Sequence, residues 1–452
     1  MLKLYNTATK SLETFSPKDP KNVKIYTCGP TVYSSPHLGN FSAYIYWDLL
    51  LRVLKANGFS LRRVLNLTDV GHLTSDEDSG EDKLEKGAKR EGKTVWEIAD
   101  YYISSFKSDF KKLNLLEPAV WARATDYIEE SKSLVEKLNK NGFLYETSDG
   151  LYFDTSKFPT YADFARLDLK NQKAGARVDF SSEKRNSSDF AVWKFIKPGE
   201  THAMRWDFLG RPGYPGWHLE CSAIIHKELG EPIDIHAGGI DHIPVHHTNE
   251  IAQTSGAFSK KLAHFWLHCN FLKINGEKIS KSLGNIITLK DLEEKGFSPF
   301  DFKLWLFQGH YRSERNFTIS DLESAKVRRK NWINKLVLLY QLPESELPAP
   351  LEGFQDSVLS LLNNDLNSSS AFALIDEKSP LLSLDDWKFL DSLFALDLFV
   401  KDRTPALLLK IRQRNTAREK KNFATADKIR DELLSEGVSL LDSSDKTFWQ
   451  LA

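Results

Sequence analysis

Three groups of residues have types and spacings suited to chemistry. Cys28, Cys221, His246 and Glu250 offer two thiols, an imidazole and a carboxylate, a sensible if unusual shell for Zn²⁺. His246 and Glu250 stand four apart in VHHTNEIAQ, so on a helix both side chains project from one face. Spacing alone leaves a second reading open, in which the cysteines are buried small hydrophobes and the histidines line a polar cleft. The second group is Pro36-His37-Leu38-Gly39-Asn40, at an expected helix start. Free N–H groups and the positive dipole end suit phosphate there, and a glycine lets a nucleotide approach the backbone. His37 and Asn40 can donate to phosphate oxygens, although a simple turn capped by Asn40 would use the same residues. The third group, Lys278-Ile279-Ser280-Lys281-Ser282-Leu283-Gly284-Asn285, is a compact cationic loop. It suits charge developing on a pyrophosphate, or equally a solvated surface turn.

These groups need a scaffold, and the flanking pattern supplies one. Val23–Thr27 reads as a short strand broken by Gly29-Pro30. Apolar residues then recur at helical spacing through Ala43, Trp47, Leu50, Leu51 and Leu54, with Gly58 as a stop. A second apolar run covers 61–70. Strand, glycine-bearing loop, helix and strand begin a βαβ unit, hence a parallel sheet with its ligand at the carboxyl ends of the strands. Residues 71–93 are charged and read as a mobile surface loop. Residues 95–142 read as two helices, 151–188 as an irregular stretch with short strands that looks inserted, and 211–285 as renewed α/β pattern. Beyond 300 the chain turns helical, with prolines 343, 348 and 350 marking a connection between helices.

Composition narrows the class. The 452 residues suggest about three folding units. A 41% apolar fraction can bury real cores, and no run approaches the roughly 18 apolar residues of a membrane span. Three cysteines cannot form a disulfide framework and read as reduced thiols in a cytoplasm, and the first residues lack a signal or transit pattern. With 61 basic against 62 acidic residues, nucleic-acid affinity must come from local patches. One exists: 401–430 holds ten basic residues (401, 403, 410, 412, 414, 418, 420, 421, 428, 430) against three acidic ones (402, 419, 427).

The second and third groups together, in this order, resemble the HIGH and KMSKS signatures of class I aminoacyl-tRNA synthetases. Within that class the sequence resembles the cysteinyl-tRNA synthetases. The segments that carry the resemblance are TCGPTVY (27–33), NLTDVGH (66–72), GEDKLEKGAKREGK (80–93), PGWHLECSA (215–223), HAGGIDHIPVHHTNEIAQ (236–253), KISKSLGN (278–285) and NFATADKIRDEL (422–433). The implied fold is α/β: a Rossmann-like parallel-sheet catalytic domain (1–115 and 205–255) with a connective insertion (116–204). A stem-contact region carrying the KISKS loop (256–320), an all-α helical bundle (321–400) and a small basic anticodon-binding domain (401–452) follow.

Carried over residue by residue, the resemblance makes Cys28, Cys221, His246 and Glu250 ligands of one Zn²⁺ per chain. It places Cys28, Gly29, Thr68, Trp217 and His236 against cysteine. Gly29, His37, Gly39, Asn40, Gly238, Asp241 and Lys281 fall against ATP and its Mg²⁺, with His37, Asn40, Lys278 and Lys281 acting in catalysis. Asn40 replaces the last histidine of HIGH, Ile279 replaces methionine, and Thr248 stands where an acidic residue is common. Cys269 matches no functional position. The implied reaction is cysteine activation by ATP and transfer to tRNA(Cys). A thiolate–zinc bond worth several kcal/mol would reject serine by a factor on the order of 10⁴, without an editing domain. Arg412, Arg414 and Trp449 are expected to touch tRNA, by a monomer with no membrane association.

Overall fold

The computed structural model describes all residues except 71–82, 168–182, 198, 200–201, 281–282 and 444–445. The chain divides into two compact units, residues 1–273, 277–289 and 311–315 in one, and 274–276, 290–310 and 316–452 in the other.

The first unit is organised by a five-stranded parallel sheet. Its spatial order is Ala263–Cys269, Ile233–Gly239, Val23–Thr27, Leu61–Leu67, Val120–Arg123. All four pairings are parallel, as the βαβ pattern requires. Chain order reverses between Val23–Thr27 and Ile233–Gly239, so the switch point at which such sheets take ligands lies just past Thr27 and Gly239. Cys28 follows the first of these strands and donates its N–H to Ala237 O at 3.0 Å. The helix Leu38–Ala56 carries Leu50, Leu51 and Leu54 in its buried face.

A second sheet is antiparallel, in the order Leu144–Thr147, Gly150–Phe153, Phe190–Phe195, Arg211–Pro215, Trp206–Phe208. Its core gathers Phe153, Phe190, Val192 and Trp193 with Leu138 and Leu219 of the neighbouring helices. The extent of this sheet does not coincide with the bounds of 116 and 204 expected for an insertion. Val120–Arg123 pairs with Val64 to Leu67 in the parallel sheet, while Arg211–Pro215 pairs back onto Phe190–Phe195 and Trp206–Phe208. The missed signal is Leu209-Gly210, both at positive φ (53° and 73°), the two-residue turn that closes a hairpin.

The stretch expected to be a loop contains a helix, Lys83–Glu91, with Leu84, Gly87 and Ala88 buried. Abundant charge hid one apolar flank at i and i+4. The rest of that expectation, 71–82, lies outside the described residues. Between 95 and 142 the two expected helices are Val95–Lys112 and Ile128–Lys140, separated by the strand Val120–Arg123.

The second unit is mainly helical, as expected past 300. Helix Ile319–Leu339 carries much of its length, and the proline-bearing 342–353 leads to Phe354–Leu362. Helices Thr404–Glu419 and Phe423–Ser435 and the hairpin Val438–Asp442/Thr447–Leu451 complete it. The hairpin is tied to the long helix and the turn after it: Asn334 Oδ1 accepts from Leu451 N–H at 2.9 Å and Gln341 Oε1 from Trp449 N–H at 2.8 Å. Among the described residues, no helix is long and apolar enough to cross a membrane.

Candidate active site

Four elements bring the expected metal ligands together. Cys28 ends the strand Val23–Thr27, Cys221 sits on helix Trp217–Glu228, His246 lies in a single π turn Ile243–His247, and Glu250 begins helix Thr248–Phe258. One ligand atom from each lies within 4.8 Å of the other three, and all four residues are buried. His246 is the fourth residue of that turn and stands four before Glu250. Thr248 secures the turn by donating its hydroxyl to Ile243 O at 2.8 Å, which gives that residue a structural role.

The electrostatics suit a cation. His236 Nε2 and His246 Nε2 stand 2.8 and 3.2 Å from the two Glu250 oxygens, but neither contact has hydrogen-bond geometry, so among the described residues both buried oxygens lack a donor. Burial alone would raise the Glu250 carboxyl; the charges of His236 and His246 outweigh it and hold the group well below the usual carboxylate range. Burial opposes charge on His246 too, yet Glu250 and Cys221 lift it to about 10. Burial pushes the Cys28 thiol up, and Cys221 is raised by its hydrogen bond with Cys28 and then by burial. Two raised thiols and a donorless carboxylate are a set that a divalent cation would satisfy.

Further histidines surround this set. Cys28 Sγ meets His247 Nε2 at 3.3 Å, His247 Nδ1 meets His268 Nε2 at 2.8 Å, and His218 Nδ1 meets His246 Nδ1 at 2.9 Å. His236 stacks on Trp266, with centroids 4.6 Å apart and planes at 15°. His218, His247 and His268 were not singled out in the sequence; the doublet His246-His247 was the available hint.

A cavity of about 590 Å³ opens beside the ligands. Of the residues expected to touch cysteine or ATP, Cys28, Gly29, His37, Gly39, Asn40, Thr68, Trp217, Gly238 and Asp241 line it, as do the expected catalytic residue Lys278 and the ligands Cys221 and His246. His236 and Glu250 are fully buried and do not line it. Cys269 also lines it, its thiol pushed up to about 12 by burial. Two glycines are required by close approach. A Cβ on Gly29 would fall 1.6 Å from Asn66 O, and one on Gly238 would fall 2.7 Å from His242 Nδ1 and 2.9 Å from His247 Cε1.

The two signature motifs meet directly. His37, not Asn40, is the N-cap of Leu38–Ala56: its Nδ1 accepts from Asn40 N–H at 3.3 Å, and Asn40 Oδ1 accepts from His37 N–H at 3.0 Å. This capping box commits the Asn40 carbonyl oxygen and leaves its NH₂ as the donating end. A Cβ on Gly39 would meet Ile279 Cδ1 at 2.8 Å, so Gly39 is what lets Ile279 pack onto the helix start. Asn285 clamps the cationic loop, donating Nδ2–H to Lys278 O at 3.0 Å and accepting from Ser280 N–H at 2.9 Å. Lys281 and Ser282 lie outside the described residues.

In the second unit the three residues expected to touch RNA separate. Arg412 is exposed on helix Thr404–Glu419. Arg414 is 3% exposed and its guanidinium forks onto Asp442 at 2.5 and 2.6 Å. Trp449 is fully buried, donating its indole N–H to Thr404 Oγ1 at 2.8 Å. The structure thus corrects the expectation for Arg414 and Trp449: their side chains are spent inside the fold, because an arginine three residues from its apolar neighbour Ile411 shares the inward face.

Comparison with known proteins agrees with the motifs. The family profile described as the class I (C) tRNA synthetase catalytic domain matches residues 14–327. Cysteine–tRNA ligase of Treponema denticola is 40% identical over 99% of this chain and 99% of its own. Cysteine–tRNA ligase 1 of Burkholderia lata is 40% identical over 98% of this chain and 96% of its own. Among solved structures, Mycobacterium tuberculosis methionyl-tRNA synthetase bound by methionyl-adenylate is similar with a TM-score of 0.59, covering 83% of this chain and 89% of its own. At 15% identity that likeness speaks for the fold alone.

Proposed function

The chain belongs to the cysteine–tRNA ligase family of class I aminoacyl-tRNA synthetases, and from that premise we propose how its residues activate L-cysteine with ATP and pass it to the 3′ end of tRNA(Cys). The observation that carries the reading is the convergence of Cys28, Cys221, His246 and Glu250 beside a cavity lined by His37, Gly39, Asn40 and Ile279. This donor set suits one Zn²⁺, which when bound would lower the pKa of the substrate thiol and hold the thiolate far better than serine's hydroxyl.

The remaining work falls to positioning and charge. Gly29, Thr68 and Trp217 line the cavity with Cys28 and hold the amino acid so that its carboxylate faces the nucleotide. That carboxylate attacks the α-phosphate of ATP, forming the mixed anhydride and releasing pyrophosphate. His37, Asn40 and the N–H groups of their helix start offer donors to the phosphates, and Lys278 offers positive charge. Lys281, by its place in the motif, adds to that charge, and Mg²⁺ accompanies ATP. A terminal ribose hydroxyl of tRNA then attacks the carbonyl carbon, and AMP leaves. Neither step needs a covalent bond to the protein. The exposed Arg412, Lys420, Lys421 and Lys428 suit contacts with RNA phosphates. Three free thiols suit the cytoplasm.

ATP–pyrophosphate exchange on protein whose zinc has been counted tests the reading. Exchange that needs cysteine, ignores serine and tracks about one zinc per chain is the expected result. Exchange from zinc-free protein would overturn the metal assignment, and none from folded, zinc-loaded protein would overturn the reaction.

A further inference from the structure

We propose that Thr7 is a positioning residue for the metal centre: its hydroxyl sets the direction of a hydrogen-bond relay that runs through His268 and His247 to Cys28 Sγ. The inference rests on the metal reading above.

The relay is continuous and enclosed. Thr7 Oγ1 meets His268 Nδ1 at 2.8 Å, His268 Nε2 meets His247 Nδ1 at 2.8 Å, and His247 Nε2 meets Cys28 Sγ at 3.3 Å. No member is more than 8% exposed. Thr7 is also held in place. Its N–H donates to Trp266 O at 2.9 Å, and the neighbouring Asn6 donates to His264 O at 3.0 Å and accepts from Trp266 N–H at 3.1 Å. The N-terminal hairpin Lys3–Asn6/Ser11–Thr14, whose first strand Thr7 follows, is thereby registered against the strand Ala263–Cys269 that carries His268, and the hydroxyl has little freedom to leave it.

The direction follows from donor counting. A neutral imidazole has one N–H and one bare nitrogen. As a ligand of the cation Cys28 would be a thiolate, which can only accept, so His247 would carry its proton on Nε2 and accept at Nδ1. His268 must then carry its proton on Nε2 and accept at Nδ1, and the group that supplies that last proton is the Thr7 hydroxyl. Both rings are buried, and each uses its two nitrogens within the relay, so their tautomers matter. A hydrogen bond donated to a ligating thiolate fixes its orientation and withdraws charge from it. The cation is left a stronger acceptor for an incoming thiol.

The full-length protein, loaded with Zn²⁺ or with Co²⁺ as a spectroscopic probe, tests this. Thr7→Val should weaken metal affinity by about tenfold in chelator competition, shift the thiolate-to-cobalt charge-transfer band and raise KM for cysteine more than it lowers kcat. Thr7→Ser should restore all three. In an His268→Gln background the Thr7→Val effect should disappear, because no ring remains to receive the proton. Wild-type affinity and an unshifted band in Thr7→Val would overturn the proposal, as would a Thr7→Ser variant as defective as Thr7→Val. A wild-type protein with no thiolate–cobalt band would instead overturn the metal reading beneath it.

Discussion

Replacing Asp442 by Asn should loosen the C-terminal hairpin without weakening RNA binding directly, and the size of the effect follows from the contacts. The Asp442 carboxylate accepts from Arg414 at 2.5 and 2.6 Å, from Arg418 at 2.7 Å and from Thr447 Oγ1 at 2.9 Å. The Arg414 hydrogen bonds, foremost, hold it at about 2 against an ordinary 3.8. At about 1.4 kcal/mol per pH unit that difference is at most about 2.4 kcal/mol. Because the side chain is 30% exposed, solvent screening reduces it to about 1–2 kcal/mol. A folded-state pKa below the unfolded one means stability that is present above the unfolded value and lost as pH falls through about 2. Hydrogen exchange of peptides covering 438–451 reads this locally, which suits a chain of two units better than one global melting curve. Asp442→Asn should speed their exchange roughly 5–30-fold near neutral pH, and the two proteins should converge as pH drops below 4 toward 2. In parallel, Arg412→Ala should lower the salt dependence of tRNA binding by about one phosphate contact, whereas Asp442→Asn should leave that slope alone. Unchanged exchange in Asp442→Asn would refute the assignment of Arg414 to the fold. A lowered salt slope in Arg414→Met with unchanged exchange would refute it as well.

Other outcomes follow from the active site. Cys221→Ser should lose zinc and cysteine activation together, read by metal analysis and pyrophosphate exchange; a folded variant with full zinc and full activity would remove Cys221 from the ligand set. Gly39→Ala should clash with Ile279 and the His37 ring at a cost of about 1–3 kcal/mol, slowing adenylate formation. Trimming the obstruction with Ile279→Val should recover part of the rate, and no recovery would mean that the motifs do not act through this contact. Lys281→Ala should slow pyrophosphate exchange with little change in tRNA affinity, and an unaltered exchange rate would end its assigned role.

The sequence by itself determined what local geometry can determine. The strand Val23–Thr27 and helix Leu38–Ala56 follow from β-rich composition, a 3.6-residue apolar recurrence and a glycine-bearing loop between them. The shared aim of His246 and Glu250 follows from a separation of four on a helical turn. The residue types of the metal set, and the order of the two signature motifs, were legible for the same reason: they are properties of short segments. Tertiary structure decided what depends on partners distant in sequence. Parallel pairing of Ile233–Gly239 beside Val23–Thr27 is what puts Cys28 beside Cys221 and His246. The registration of the N-terminal hairpin against Trp266 is what brings Thr7 to His268. The hairpin-borne Asp442 is what engages the buried guanidinium of Arg414, a candidate RNA contact by sequence, inside the fold. In each case the energy of a side chain is set by the groups that surround it after folding, and those groups come from parts of the chain whose spacing carries no trace of their final proximity.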